Sequence, residues 1–384
     1  MFKCGYLSHG LFVSHSGVRF HKDEILPCCY SIGKNTHKLK TPSINEDILN
    51  TPLLTTLRRE AIKNIPPDAC SDCVRKEQIT GTSPRLQNYH FEDDVVKEIV
   101  TEEDIRYLHI RLSNVCNFQC TICSPNNSHL LAKEEGINPP LKIIDDSIFD
   151  MLKEKLPKMQ NLKIIIFAGG EPFYNPNMLI ELLEYIPKQT RVFFHTNGSV
   201  FNKELLDRLY QFENTSLSFS FDGSGRFFEY QRRNGKWNEV FDNLKKIKEN
   251  YPNIRLQCNT TISCITLPNL YDFMNETYSF FKGINLSFII SPEYYRINVL
   301  KEKTLLDIQL KMNKFFDKID SDENVKSNLH INSRKIFDDN ISHALINPAS
   351  DTIIRNFWIR AEMLKIKGHD INDYVPEIRD LVRC

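Results

Sequence analysis

Cys116-Asn117-Phe118-Gln119-Cys120-Thr121-Ile122-Cys123 sets three thiols in a CxxxCxxC spacing. It follows directly on Arg106-Tyr-Leu-His-Ile-Arg-Leu-Ser113, whose apolar alternation reads as a β-strand. Thiolates are the usual ligands of iron-sulfur clusters, and so short a loop can bring three sulfurs onto one cube while leaving the fourth iron without a protein ligand. An open iron is a place to bind something. The plain alternative is three small residues in a loop, buried as ordinary hydrophobes.

Downstream of this loop, strands and helices alternate as far as Ile290. The strands are 106–113, Lys163–Phe167, Arg191–His195, Ser216–Phe221, Ile254–Ile262 and Ile284–Ile290. Between them, a helix at 145–156 opens on the cap candidates Asp145 and Asp146. Helices at 202–212 and 268–281 carry Leu205, Leu206, Leu209 and Phe212, and Leu270, Phe273, Met274 and Phe281, each on one face. Such alternation predicts right-handed βαβ units and a parallel sheet. Six repeats suit an α/β fold of the (βα)6 partial TIM-type barrel, with its site at the carboxyl ends of the strands. Beyond 300 the pattern is helical and charged, with Leu305, Ile308, Met312, Phe315 and Ile319 in one packing stripe. The domains expected are therefore residues 1–95, a cysteine-rich α+β module; 96–295, the barrel; and 296–384, a helical extension.

Several strand ends are small or polar where a ligand would lie. Strand two runs into Ala168-Gly-Gly-Glu-Pro172, where paired glycines let backbone approach a ligand and Glu171 sets a carboxylate beside it. Strand three ends in Thr196-Asn197-Gly198, strand four in Ser220-Phe-Asp222-Gly223, and strand five contains Asn259-Thr-Thr261. Each alone is weak. Together, on one rim with the cysteine loop, they make a site.

Lysine plus arginine, 49, equals aspartate plus glutamate, 49, so no overall positive field recruits nucleic acid or an anionic membrane. No run of about 18 apolar residues occurs and no secretory signal opens the chain, which predicts a soluble, cytoplasmic protein. In such a setting the 11 cysteines are read as metal ligands or reactive thiols before disulfides, and eight of them fall before residue 124.

Five of those eight lie in the N-terminal module. Leu11–Val13 and Val18–Phe20 flank a probe of turn residues, Ser14-His-Ser-Gly17, and suggest a hairpin. A helix is expected over Thr51–Lys63, with Pro52 in its first turn and Leu53, Leu54, Leu57 and Ala61 at helical spacing. Cys4, Cys28-Cys29, Cys70 and Cys73 stand around these elements, and four ligands would staple a module too small to rely on its core. Spacing does not separate a zinc site from a four-iron cluster. Five thiols compete for four places, and Cys28 is favoured over Cys29.

With these residues in place, the chain resembles the radical S-adenosylmethionine (radical SAM) superfamily over about residues 104–290. The resemblance implies a [4Fe-4S] cluster on Cys116, Cys120 and Cys123 whose open iron chelates S-adenosylmethionine. It implies that Gly169, Gly170 and Glu171 face the amino group of that cofactor and that Ser220 and Asp222 lie near its ribose. Arg232, with Arg233 as rival, would meet its carboxylate as a bidentate guanidinium. Asn197, Asn259 and Thr261 complete the implied cofactor-binding set. One departure is Ile122, where the family commonly has an aromatic residue before the last cysteine, which leaves the adenine contact in doubt. The N-terminal residues Cys4, Pro27-Cys28-Cys29, Leu57-Arg58, Cys70, Cys73, Glu77, Gly81, Ser83, Arg85 and Asn88 resemble the SPASM or twitch modules, here placed before the barrel. That implies a second, auxiliary [4Fe-4S] cluster on Cys4, Cys28, Cys70 and Cys73, with zinc as the alternative.

The implied reaction is reductive cleavage of S-adenosylmethionine to a 5'-deoxyadenosyl radical that takes hydrogen from a substrate, with flavodoxin or ferredoxin as electron donor. Relatives with auxiliary clusters modify ribosomally made peptides by crosslinking, oxidation or epimerisation. A peptide or a small molecule is therefore the expected substrate. For epimerisation, Cys258, Cys264 and Cys384 are candidate hydrogen donors, against burial as ordinary hydrophobes. Two rivals stand beside this reading. An enzyme modifying tRNA or a nucleotide would need a basic groove that the charge balance does not suggest. A zinc-stabilised binding module would leave the polar strand ends unexplained.

Overall fold

The computed structural model describes residues 4–14, 24–29, 47–80, 83, 85, 86, 96–321 and 333–383. Two compact units emerge: Met1–Asn117, Ser124–His195 and Asn202–Thr215 form the first, and Phe118–Cys123, Thr196–Phe201 and Ser216–Cys384 the second. Neither unit begins or ends at residue 95 or 295.

In the first unit, β1 (Gly10–Ser14) pairs antiparallel with β2 (Glu24–Leu26) and parallel with β3 (Tyr107–Arg111). The sheet continues in parallel through β4 (Ile164–Ala168) to β5 (Arg191–Thr196). The cysteine-rich segment is thus built onto the edge of the same sheet. Of the expected hairpin, residues 15–20 lie outside the described residues, and the strand found antiparallel to β1 is Glu24–Leu26.

Strand periodicity sorts the side chains onto two faces. Leu108, Ile110, Ile165, Phe167, Val192 and Phe194 form one fully buried face. On the other, Tyr107 and Ile164 join Cys4, Tyr6, Leu7, Leu57 and Cys70 in an apolar cluster, with Ile166 and Phe193 packed against it. The cysteine segment therefore covers the amino-terminal half of that face, leaving His109, Arg111, Ala168 and His195 toward the carboxyl ends.

The helix Pro52–Ile62 forms as its sequence predicts: Thr51 Oγ1 accepts from Leu54 N at 3.3 Å and Pro52 occupies the first turn. Arg58 on this helix is fully buried. Its Nε donates to Leu7 O at 2.6 Å and its Nη1 to Asn50 Oδ1 at 3.0 Å, tying the helix to the backbone beyond Cys4.

In the second unit, β6 (Thr215–Phe219), β7 (Arg255–Ile262) and β8 (Ile284–Phe288) run parallel, with Phe219 opposite Cys258 and Cys258 opposite Ile284. The helix Trp237–Asn250 buries Trp237, Val240, Phe241, Leu244 and Ile247, one apolar stripe at helical spacing. The carboxyl-terminal region is helical, and in Glu302–Asp320 the expected stripe of Leu305, Ile308, Met312, Phe315 and Ile319 is buried throughout. The chain is an α/β protein with mostly parallel strands, in the order of βα units that a partial barrel uses, followed by helices.

Candidate functional site

The cysteine loop is pinned by a segment more than a hundred residues further on. Thr121 N donates to Gln231 O at 2.8 Å and Gln119 N to Arg233 O at 3.1 Å, while Arg233 Nε returns a bond to Gln119 O at 2.8 Å. Phe118 is buried against Phe228, their ring centroids 6.4 Å apart. Gly235 leaves room for it, since a Cβ there would lie 2.8 Å from the Phe118 ring. Arg233, the rival for a cofactor contact, is thus occupied in shaping the loop.

Arg232 faces the loop's buried thiol. Its Nη1 stands 3.8 Å from Cys120 Sγ and its Nε donates to Asp222 Oδ2 at 2.7 Å. Asp222 is fully buried and also accepts from Gln231 Nε2 at 2.7 Å and Thr261 N at 2.9 Å. Both carboxylate oxygens are therefore engaged within the protein. Burial pushes the Cys120 thiol up to about 12, and Arg232 pulls in the opposite direction. Burial would lower the arginine's own pKa, but Asp222 and then Cys120 raise it. A cation fixed beside a buried sulfur is the electrostatic support that a thiolate ligand needs. Cys123, by contrast, is exposed, and its amide donates to Cys120 O at 3.1 Å.

Within the first unit, the backbone leading into Cys116 is held from both sides. Cys116 N donates to His129 Nδ1 at 3.1 Å. Asn114, fully buried, accepts from Lys142 N at 2.8 Å and donates to Pro140 O at 2.9 Å. The Gly169-Gly170-Glu171 turn packs on Val115, whose carbonyl accepts from Glu171 N at 2.7 Å. Gly170 has φ +53°, and a Cβ there would stand 2.1 Å from Val115 O. Only glycine fits. Glu171 is buried, with Oε1 accepting from Phe173 N at 3.0 Å. A cleft in this unit is lined by Ser113, Ile143, Gly169, Glu171, Asn175 and Met178 among others.

The remaining candidates belong to the second unit. Asn197 closes a turn through Ser199 N at 2.9 Å, and Ser220 N donates to Thr196 O at 2.8 Å. Asn259 and Thr261 are half-buried on β7, and Thr261 O accepts from Gln231 Nε2 at 3.2 Å. Gln231, Asn114 and His129 organise the loop without having stood out in the sequence. Only Asn114, directly after the strand, carried a signal, as a residue type that binds neighbouring backbone in turns.

The N-terminal thiols are mutual neighbours. Burial raises the Cys4 thiol, with Cys28 and Cys70 adding to it; burial likewise pushes Cys70 up to about 12, reinforced by Cys28 and Cys73. Arg85 offsets part of the shift on both. Arg85 is fixed by Glu77, to which Nε donates at 3.0 Å and Nη2 also donates, and Ser83 Oγ donates to the same carboxylate. Cys28 is buried in this set, whereas half-buried Cys29 feels Arg111 and Cys73. Gly81 and Asn88 lie outside the described residues. Among the described residues, no three His, Cys, Asp or Glu side chains converge as the donors of a single metal ion do. A four-iron cluster makes a different demand, because each thiolate binds its own iron.

Cys258 and Cys264 are buried thiols on carbonyls: Cys258 Sγ lies 3.7 Å from Phe221 O and Cys264 Sγ 3.9 Å from Tyr294 O. Cys384 lies outside the described residues. Among the described residues, no helix is long and apolar enough to cross a membrane.

Residues 110–280 match the Radical SAM superfamily. Among curated proteins, the chain is 25% identical over 227 residues to the radical SAM cyclopropyl synthase TigE of Paramaledivibacter caminithermalis, covering 52% of this chain and 45% of that protein. It is 30% identical over 189 residues to molybdenum cofactor biosynthesis protein 1 of Dictyostelium discoideum, covering 47% of this chain and 27% of that protein. The chain thus spans less than half the length of either relative. Streptococcus suis SuiB bound to S-adenosylmethionine is similar in structure with a TM-score of 0.42 at 14% identity, over 72% of this chain and 59% of SuiB. The matched residues contain the CxxxCxxC loop and the Gly-Gly-Glu turn packed on its lead-in, and by that match residues 110–280 form a radical SAM superfamily domain.

Proposed function

We propose that this chain is a radical SAM enzyme acting on a ribosomally made peptide in the cytoplasm, by crosslinking, oxidation or epimerisation, with a flavodoxin or ferredoxin as electron donor. The observation that carries the reading is the Cys120–Arg232–Asp222 relay inside the matched region. Cys116, Cys120 and Cys123 would hold a [4Fe-4S] cluster. Gly169, Gly170 and Glu171 would face the amino group of S-adenosylmethionine, with Asn197, Ser220, Asn259 and Thr261 as further cofactor contacts. Asp222 and Arg232 would join these cofactor contacts and also support Cys120.

When bound, the cluster and S-adenosylmethionine supply the electron and the 5'-deoxyadenosyl radical that abstracts hydrogen. The chain's own residues do the positioning. Arg232 keeps a positive charge against Cys120 sulfur, and Asp222 keeps Arg232 in place. Glu171 is held buried by its own turn, ready to accept a proton-bearing donor without first being ordered. Cys4, Cys28, Cys70 and Cys73 would hold the auxiliary [4Fe-4S] cluster, with Arg85 beside them offsetting thiolate charge. The peptide assignment is supported by this second thiol set, packed on the sheet that carries the Gly-Gly-Glu turn.

Anaerobic reconstitution followed by reduction and chromatography of 5'-deoxyadenosine tests the assignment. The wild type is expected to release it and Cys120→Ala to release none; release by that variant would overturn the reading. About eight irons per chain supports two clusters, and about four irons with one zinc identifies the N-terminal site as a zinc centre.

A further inference from the structure

The face of the sheet that carries the cysteine segment at one end bears an unusual set of polar groups at the other. β3 turns Tyr107, His109 and Arg111 to this face, and β4 sets Ile166 opposite His109 and Ala168 opposite Arg111. β5 sets Phe193 opposite Ile166, and the same register brings His195 level with Ala168. Arg111 and His195 therefore stand on either side of the smallest residue in the row, about 10 Å apart between Cα atoms at the usual strand spacing. The result is a cup floored by Ala168, with His109 one step deeper.

The groups lining this cup are held in place. Phe12 on β1 lies edge-on to His109 at 5.0 Å between ring centroids, and the Arg111 guanidinium lies 5.5 Å from the same phenyl ring. Arg111 Nη1 reaches Asn127 Oδ1 at 3.4 Å. His195 packs edge-on to Phe193 at 5.0 Å. Arg111, Ala168 and His195 are half-buried, so the cup is open, whereas His109 is 7% exposed with neither ring nitrogen hydrogen-bonded. An imidazole buried with two unsatisfied nitrogens is costly unless something polar enters to meet it. Burial, with Arg111 adding to it, keeps both imidazoles neutral, at about 3 for His109 and about 4 for His195. One guanidinium flanked by neutral imidazoles offers a single positive charge with hydrogen-bond donors around it. Ala168 leads directly into Gly169.

We propose that His109, Arg111 and His195 form a seat for a carboxylate group of the substrate, on the wall between the N-terminal thiols and the Gly-Gly-Glu turn. Arg111 would take the carboxylate oxygens through its fork of donors, and His109 would donate to it from beneath. The inference rests on the radical SAM reading only in calling the ligand a substrate.

The probe is sodium acetate, titrated into the oxidised, reconstituted full chain labelled with 15N-histidine, with sodium chloride at matched ionic strength as control. Saturable shifts of the His109 and His195 ring nitrogens are expected, at least tenfold weaker in Arg111→Gln and absent at position 109 in His109→Phe. Affinity for S-adenosylmethionine should be unchanged in both variants. A blocked tripeptide carrying glutamate should reproduce the shifts and its glutamine counterpart should not. Acetate binding without tripeptide binding assigns the seat to a small free acid and upholds it. No saturable shift, or shifts unaltered in Arg111→Gln, overturns the proposal. So does a parallel tenfold loss of S-adenosylmethionine affinity, which would make this the cofactor's own carboxylate contact. Should Arg111→Gln fail to fold, His109→Phe carries the test through acetate affinity at His195. Because these shifts need no turnover, a chain that binds acetate but never releases 5'-deoxyadenosine keeps the seat and loses the radical reading, and the converse result does the opposite.

Discussion

Two thiol sets in this chain solve one electrostatic problem differently. Around Cys4, Cys28 and Cys70 the neighbours are apolar, and the nearby cation, Arg85, is fixed by Glu77 in a pair whose side chains are 12% and 17% exposed. Beside Cys120 the cation is Arg232, paired with an Asp222 side chain that is wholly buried and takes three donors. Both regions use thiol, arginine and carboxylate in series. They differ in what covers them: the N-terminal thiols are enclosed, while the loop keeps Cys123 exposed. Enclosure suits a site whose positions are all filled by protein; an exposed corner suits one that leaves a ligand position open.

Removing one thiol from each set gives the largest expected effect. Cys123→Ser should lose about four irons and all 5'-deoxyadenosine. Cys70→Ser should lose the metal of the other set, iron or zinc, while 5'-deoxyadenosine is still released. Metal analysis and chromatography read both. Equal loss of cofactor cleavage in the two variants would erase the functional distinction.

The carboxylates come next. Asp222→Asn leaves Arg232 buried beside a neutral amide and should cost about 3 kcal/mol of stability, the usual penalty for breaking a buried pair. Glu77→Gln breaks a more accessible pair and should cost about 1 kcal/mol. Denaturant midpoints of the metal-free chains compare them, and equal losses would mean that burial is not what separates the two regions.

How much of this was legible in the sequence depends on the range of the interaction. The six βα strands could be read because alternation and strand-end residues are local, and the helix Pro52–Ile62 because its cap and first-turn proline are local. The parallel pairing of β1 with β3 was not legible: it joins residues about a hundred apart, and nothing in Gly10–Ser14 names its partner. At the site, the residue types were read from their positions, but not their partners. Gly170 is required by the carbonyl of Val115, a close approach that only coordinates show. The alternation in Tyr107-Leu-His-Ile-Arg111 did place His109 and Arg111 on one face, a signal that the cysteine loop overshadowed.

His109 and His195 extend the comparison to the wall beside the N-terminal thiols, where burial keeps both imidazoles neutral. The unfolded chain takes up a proton on each imidazole as pH falls below the ordinary 6.5, whereas the folded chain stays neutral to about 3 and about 4. Their contribution is therefore complete above pH 6.5 and is lost as pH falls from there toward about 4 for His195 and about 3 for His109, by up to about 1.4 kcal/mol per pH unit for each histidine. His109→Phe should flatten this acid limb in denaturant titrations. An unchanged slope would show that His109 is solvated, not enclosed.

The smallest expected effect concerns Cys28 and Cys29, which are adjacent in sequence but differently placed. Cys28 is buried and raises the thiols of both Cys4 and Cys70, so it shares their space. Cys29 is half-buried and answers to Arg111 and Cys73. The two sit where the chain bends and turns after β2, and their different burial indicates that this backbone course offers only one of them to a given centre. Cys28→Ser should therefore match Cys70→Ser in metal loss, while Cys29→Ser keeps full metal content and shifts stability by no more than about 0.5 kcal/mol. If Cys29→Ser lost the metal instead, the centre would lie nearer Arg111 and Cys73, and the enclosure that distinguishes the N-terminal set from the loop would have to be redrawn around a half-exposed sulfur.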